Sequence, residues 1–272
     1  MKEYIHGGDI YRHPDVLDFS ANINPLGTPP AVVQAAKDSM EWICHYPDAC
    51  QEKLKQALAA YEQVPVEWLI CGNGAAELIF ALVQAVKPKR ALVMAPTFAE
   101  YAQALEAVGC EVDREILKKE DGFTLQRTIL EKLQKEDLQM VFLCNPNNPT
   151  GILINPKLLR EIVTICEKKN IYLVVDECFL DFVSEPEVHT LKGELEGKQY
   201  LFLLKAFTKR YAMAGLRLGY GITSSETLME KMEQQLQPWN VSMPAQEAGV
   251  GVCSVVEAVD RFVKQYKNQS KQ

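Results

Sequence analysis

The sequence predicts an open, mostly parallel α/β sheet, and three observations carry that prediction. Four short runs are apolar almost throughout: 91–95, 140–144, 171–175 and 200–204. Strands covered on both faces read this way, whereas half-exposed strands alternate. Longer amphipathic stretches lie between them, at about 75–86, 98–108, 124–136 and 156–169. Strand and helix in alternation imply parallel crossovers. The third observation is that glycine-, proline- and asparagine-rich segments fall beyond the apolar runs, and ligands gather at the carboxyl ends of strands in such sheets.

In chain order, residues 1–40 stand apart. The stretch Asp18–Pro30 is rich in turn residues and interrupts any regular element, which predicts an extended amino-terminal arm. Residues 41–244 carry the alternating pattern and form the large domain. Within it, Asn155-Pro156 opens the 156–169 helix with a capping side chain and a first-turn proline. The segment 245–272 reads as one long helix over 245–265 and a polar tail.

Composition narrows the function classes. The 272 residues hold 29 Lys and Arg against 36 Asp and Glu, a net charge of −7, so no general basic surface serves nucleic acid or an anionic membrane. No apolar run approaches the roughly 20 residues of a membrane helix. The start, Met1–Gly8, lacks the apolar core of a secretory signal, so a cytoplasmic protein is expected. Eight cysteines contain no CxxC pair and four histidines lack ligand spacing, so neither a disulfide framework nor a metal site is expected.

Four segments carry chemistry. Cys71–Glu77 leads a glycine turn into a helix, a start whose free N–H groups suit a phosphate, although an ordinary strand-to-helix turn looks the same. Asn145–Gly151 packs two prolines, three asparagines and a glycine behind an apolar run. Asp176 follows five apolar residues, a costly place for a carboxylate without a cationic partner. Lys209 lies beyond the last apolar run, with Arg217 eight residues later. A lysine, an acid and a set of anion contacts are the needs of pyridoxal phosphate.

Taken together, these motifs resemble the fold type I pyridoxal-phosphate enzymes of the class I/II aminotransferase group, from the first ten residues to about 250. The resemblance implies pyridoxal 5′-phosphate as cofactor, with Lys209 linked to its aldehyde and Asp176 paired with its ring nitrogen. It places Asn148 on the ring's 3′ oxygen and Phe98 against the ring face. It gives the phosphate to the backbone of Ala75 and Ala76, with Thr208 and Arg217. Tyr46 matches a tyrosine that reaches a partner subunit's phosphate, so a homodimer is implied.

Within the group, His6–Asp9, Asp18–Gly27, Gly72–Leu78 and Asp176–Phe182 resemble the threonine-phosphate decarboxylases of cobalamin synthesis more than the histidinol-phosphate aminotransferases. A small phosphorylated amino acid is then the expected substrate, toward the arm, with His6, Gly7, Gly8 and Asn24 as candidate contacts. Departures from the pattern are Ala206 and Lys205, where the group usually has a hydroxyl residue and an arginine. The group's small domain also continues well beyond residue 272 and supplies a carboxylate-binding arginine. The expectation is therefore a large domain with most of that small domain missing, and little or no turnover is the alternative outcome. Arg12, Arg210 and Arg261 match the missing arginine by charge only.

Overall fold

A computed structural model describes residues 7–254 of the chain. Seven strands form one sheet: β1 (Leu69–Gly72), β2 (Arg90–Ala95), β3 (Glu111–Ile116), β4 (Met140–Cys144), β5 (Tyr172–Asp176), β6 (Leu201–Ala206) and β7 (Gly219–Ile222). Their spatial order is β1-β7-β6-β5-β4-β2-β3. The run from β3 to β6 is parallel, and β7 is antiparallel to both β6 and β1. This is the predicted α/β sheet, with one reversed strand near an edge.

Helices follow the strands in the predicted rhythm. They are α1 (Pro30–Ser39), α2 (Glu52–Glu62), α3 (Ala75–Val86), α4 (Ala99–Ala107), α5 (Ile129–Lys132), α6 (Pro156–Lys169), α7 (Pro186–His189), α8 (Glu226–Glu233) and α9 (Met243–Ser254). Asn155 caps α6 as its sequence suggests, its side chain accepting from the N–H groups of Lys157 and Leu158. All five residues of β4 are buried, as a strand covered on both faces requires.

Two elements differ from expectation. The 124–136 stretch is not one helix but a run of three-residue turns with a single helical turn at α5. Leu125, Ile129 and Leu133 are all buried there, and a succession of tight turns satisfies their four-residue spacing as well as a helix does. Strand β5 ends one residue later than the apolar run, so Asp176 is its last residue. Helix α9 packs against α1 and α2, and the 255–265 part of the expected long helix lies outside the described residues.

Candidate active site

Strand direction assembles the site. The parallel strands β4, β5 and β6 end at one edge of the sheet, with Cys144 beside Asp176 and Asp176 beside Leu204. Antiparallel β7 begins at that same edge, Gly219 facing Ala206 on one side and Gly72 on the other. The residues that follow β1, β5 and β6 therefore meet those that precede β7. A side chain added at Gly219 would strike the Ala75 nitrogen at 2.4 Å, so this glycine lets β7 lie against the start of α3.

The start of α3 has no side-chain cap; its N-cap is Gly74 at φ 81°. Its first N–H groups therefore remain available to an anion. A Cβ on Gly74 would fall 2.2 Å from an Arg217 guanidinium nitrogen, so the arginine lies in the space that the glycine leaves. Arg217 holds a left-handed conformation at φ 58°, and its Nη1 donates to the Ala214 carbonyl at 3.3 Å.

Asp176 is buried and held from two directions. The Tyr101 hydroxyl donates to Oδ2 at 2.5 Å, and the Cys178 N–H donates to Oδ1 at 2.9 Å. Burial and the adjacent carboxylate push the Tyr101 phenol well above its ordinary pKa, which keeps it a donor. Tyr101 is stacked on Phe142 at 4.9 Å, and Phe98 meets it edge-on at 5.5 Å. The Lys209 ammonium lies 5.6 Å from the Phe179 ring centre. Burial draws its pKa below the ordinary lysine range, and Arg217 acts the same way against the opposing pull of Asp176 and Glu100.

These groups enclose a cavity of about 140 Å³. Ala75, Ala76, Thr208 and Arg217 line it together with Lys209 and Asp176, and Phe98 and Asn148 complete the predicted set. Every cofactor contact expected from the sequence except Tyr46 thus borders one space. Tyr46 is 75% exposed and stacks on Trp239 at 4.5 Å instead.

Of the asparagine-rich loop, only Asn148 lines this cavity. Asn145 donates to the His189 carbonyl and accepts from the Ile154 N–H. Asn147 accepts from the Thr97 hydroxyl at 2.8 Å and donates to the Pro96 carbonyl at 3.0 Å, which ties the segment bearing Phe98 to the loop bearing Asn148. Tyr101 borders the site without having been singled out in the sequence, whereas Gly74 belongs to the glycine turn already identified there. Tyr101 lies in the first turn of α4, whose N-cap is Phe98.

A second cavity of about 430 Å³ adjoins the first and shares Asn148 and Phe179 with it. Asn22 and Ile23 of the arm form one wall, and Phe182 and Val183 another. The expected substrate contacts among the described residues are bonded to the arm and to the lysine turn. The Gly8 N–H donates to the Ser20 hydroxyl at 2.8 Å, and Gly7 is pressed against the Ser20 carbonyl. The Asn24 side chain is engaged with the backbone, donating to the Arg210 carbonyl at 2.8 Å and accepting from the Leu26 N–H at 3.0 Å. His6 and Arg261 lie outside the described residues. Arg12 pairs with Asp9 and Arg210 with Asp181, each at 3.2 Å.

A family model described as aminotransferase class I and II matches residues 14–272. The chain belongs to that family. It is 44% identical over 252 residues to the threonine-phosphate decarboxylase of Salmonella typhimurium, a match that covers 90% of this chain and 68% of that protein. The histidinol-phosphate aminotransferase of Anoxybacillus flavithermus is 31% identical over 264 residues, covering 96% of this chain and 69% of its own. Among solved structures, the histidinol-phosphate aminotransferase from Clostridium acetobutylicum superposes with a TM-score of 0.85 at 28% identity, over 94% of this chain and 75% of that one.

Enzymes of this class I and II family use pyridoxal 5′-phosphate, and the residues present fit that cofactor. The uncapped helix start and the guanidinium at Gly74 suit a phosphate, and the buried carboxylate at the other side of the cavity suits a ring nitrogen. Ala206 borders the cavity where the family pattern would bring a hydroxyl, which removes one neutral hydrogen bond worth about 1 kcal/mol. No helix among the described residues is long and apolar enough to cross a membrane.

Proposed function

We propose that this chain is a pyridoxal-phosphate enzyme that decarboxylates L-threonine O-3-phosphate to (R)-1-amino-2-propanol O-2-phosphate. The observation that carries the reading is the convergence of Lys209, Asp176, Asn148 and Arg217 on one cavity at the carboxyl edge of the sheet. Greater likeness to the decarboxylase than to the aminotransferases supports the choice of reaction.

When bound, pyridoxal phosphate supplies an electron sink for charge that develops at the substrate's α carbon. Lys209 is the residue that holds its aldehyde carbon, and its depressed pKa lets Nζ give up and take back a proton near the reacting atom. The Asp176 carboxylate holds a proton on the ring nitrogen, oriented by Tyr101 and Cys178. Arg217, the Ala75 and Ala76 N–H groups and the Thr208 hydroxyl bind phosphate oxygens. Asn148 would donate to the ring oxygen and Phe98 would lie against the ring, both lining the same cavity. The phosphorylated side chain of the substrate extends toward the arm, into the larger cavity walled by Asn22 and Ile23. Tyr46, exposed and outside its own cavity, reaches the phosphate site of a second copy in a homodimer.

The test is incubation of the cofactor-loaded chain with threonine phosphate, alongside sedimentation of the same sample. The expected products are carbon dioxide and aminopropanol phosphate, from a species of twice the chain mass. Oxoglutarate-dependent amino transfer from histidinol phosphate, with no carbon dioxide released, would transfer the reading to the aminotransferases. A visible cofactor band that survives Lys209→Ala after removal of free cofactor would remove the assignment of Lys209.

A further inference from the structure

The turn that carries the expected cofactor lysine is closed by two backbone bonds and tied to the arm from outside. Residues 207–212 turn with Tyr211 N–H on the Phe207 carbonyl and Ala212 N–H on the Lys209 carbonyl at a long 3.4 Å. The carbonyls of Lys209, Arg210 and Ala212 each take a donor from outside the turn. The amino-terminal arm supplies all three. Asn24 N–H donates to the Lys209 carbonyl at 3.0 Å, Asn24 Nδ2 to the Arg210 carbonyl at 2.8 Å, and Thr28 Oγ1 to the Ala212 carbonyl at 2.7 Å. The Leu26 N–H on Asn24 Oδ1 fixes the amide in the orientation that donates to Arg210.

The same arm segment is also a wall of the larger cavity. Asn22 and Ile23 line it and immediately precede Asn24. An occupant of that cavity touches residues one and two positions from the hydrogen bond to the lysine's own carbonyl. We propose that Asn24 is a positioning residue for Lys209: the arm latches the lysine turn, so that seating of the arm and placement of the Lys209 amine are one event. Asn24 acts through the backbone of Lys209 and Arg210 rather than on a substrate. The inference rests on the reading of Lys209 as the residue linked to the cofactor.

Two cofactor forms separate the latch from general loosening of the fold. Pyridoxal 5′-phosphate needs Lys209 for its link, whereas pyridoxamine 5′-phosphate carries an amine in place of the aldehyde and binds by the phosphate and ring contacts alone. The affinity of the full chain for each is measured, after removal of bound cofactor, for the parent and Asn24→Ala. Alanine keeps the backbone N–H to the Lys209 carbonyl and loses the Arg210 bond together with the Leu26 bond that orients it. The expected result is therefore pyridoxal phosphate binding weakened about tenfold, with pyridoxamine phosphate binding changed by less than about twofold. Equal weakening of both forms, or no weakening of either, overturns the latch. If Asn24→Ala does not fold, Thr28→Val removes only the bond to the Ala212 carbonyl at nearly constant shape, and a selective loss of about threefold is expected. Lys209→Ala keeps the two hypotheses apart: if it still forms the link, the reading of Lys209 fails and the latch falls with it. If it abolishes the link while Asn24→Ala and Thr28→Val spare it, the latch alone fails.

Discussion

Two groups of charges lie on opposite faces of the same strands and are treated in opposite ways. Successive residues of a strand point to opposite faces, so Asp176 and Ala206 border the cavity while their neighbours Glu177 and Lys205 turn away from it. On that far face the buried charges are paired within the protein, although burial still holds the Glu177 carboxyl above its ordinary pKa. Lys205 lies 3.3 Å from Glu62 and 3.6 Å from Glu177. Tyr220 donates to Glu62 at 2.5 Å, Lys192 joins it at 3.3 Å, and Glu177 accepts from the Thr190 hydroxyl and the Leu191 N–H. Burial opposes the charge on Lys205, but Glu62 and Glu177 overcome it and hold its pKa above the ordinary value. On the cavity face burial wins, and Lys209 is drawn below that value. Paired charges on one face serve the fold; partly answered charges on the other are what a charged ligand can complete.

The largest effect should come from breaking the closed side. Lys205→Met leaves two buried carboxylates with one cation fewer between them, a loss of about 3–5 kcal/mol in urea unfolding. Lys192 stays within reach of Glu62, so Glu177 is the group left without a cation. An unchanged unfolding midpoint would mean that solvent, not Lys205, balances these carboxylates, and the contrast between the two faces would disappear.

Tyr101→Phe probes the boundary between the two treatments, because Asp176 is the one cavity charge that the protein holds firmly. The hydrogen bond is to a charged, buried acceptor, so its removal should lower stability by about 1.5–3 kcal/mol. The stacked ring on Phe142 remains. A loss below about 0.5 kcal/mol would show that Asp176 is satisfied without the phenol, and would place it with Lys209 among the open charges.

How much of this was legible in the sequence follows from the range of the interactions. Strands β2, β4 and β5 announce themselves because both faces are buried. Edge strand β3 contains Glu111, Asp113, Arg114 and Glu115 and gives no such run. The direction of β7 is invisible in its four residues, although it brings Arg217 to the lysine. Its Gly221 owes its identity to Phe202 on the neighbouring strand, whose ring comes within 2.0 Å of where a Cβ would stand. Asp176, Lys209 and Arg217 were readable because each stands in a local pattern at or near a strand end, and Asn148 came through the resemblance. The bond from Tyr101 to Asp176 spans 75 residues and that from Asn24 to Arg210 spans 186, so neither leaves a local trace. Resemblance pointed to Asn24 as a substrate contact, whereas its amide is engaged by the lysine turn.

The smallest effect is the most discriminating, because Lys205 and Lys209 should give pH dependences of opposite sign. For Lys205 the folded pKa lies above the unfolded value, so its stabilisation is complete below about 10.4 and is lost as pH rises through the folded pKa. For Lys209 the folded pKa lies below the unfolded value. Between those two values the unfolded chain binds more protons than the folded one, so stability rises with pH across that window and levels off near 10.4. Lys209→Met removes this rise. At neutral pH its stability should equal or slightly exceed that of the parent, since a partly desolvated ammonium is gone; toward pH 10 the parent should gain on it. Urea unfolding of both chains from pH 7 to 10 reads the difference, and groups common to the two cancel. Parallel curves would mean that the fold does not disfavour the Lys209 cation, and the opposition in sign between the two lysines would be lost.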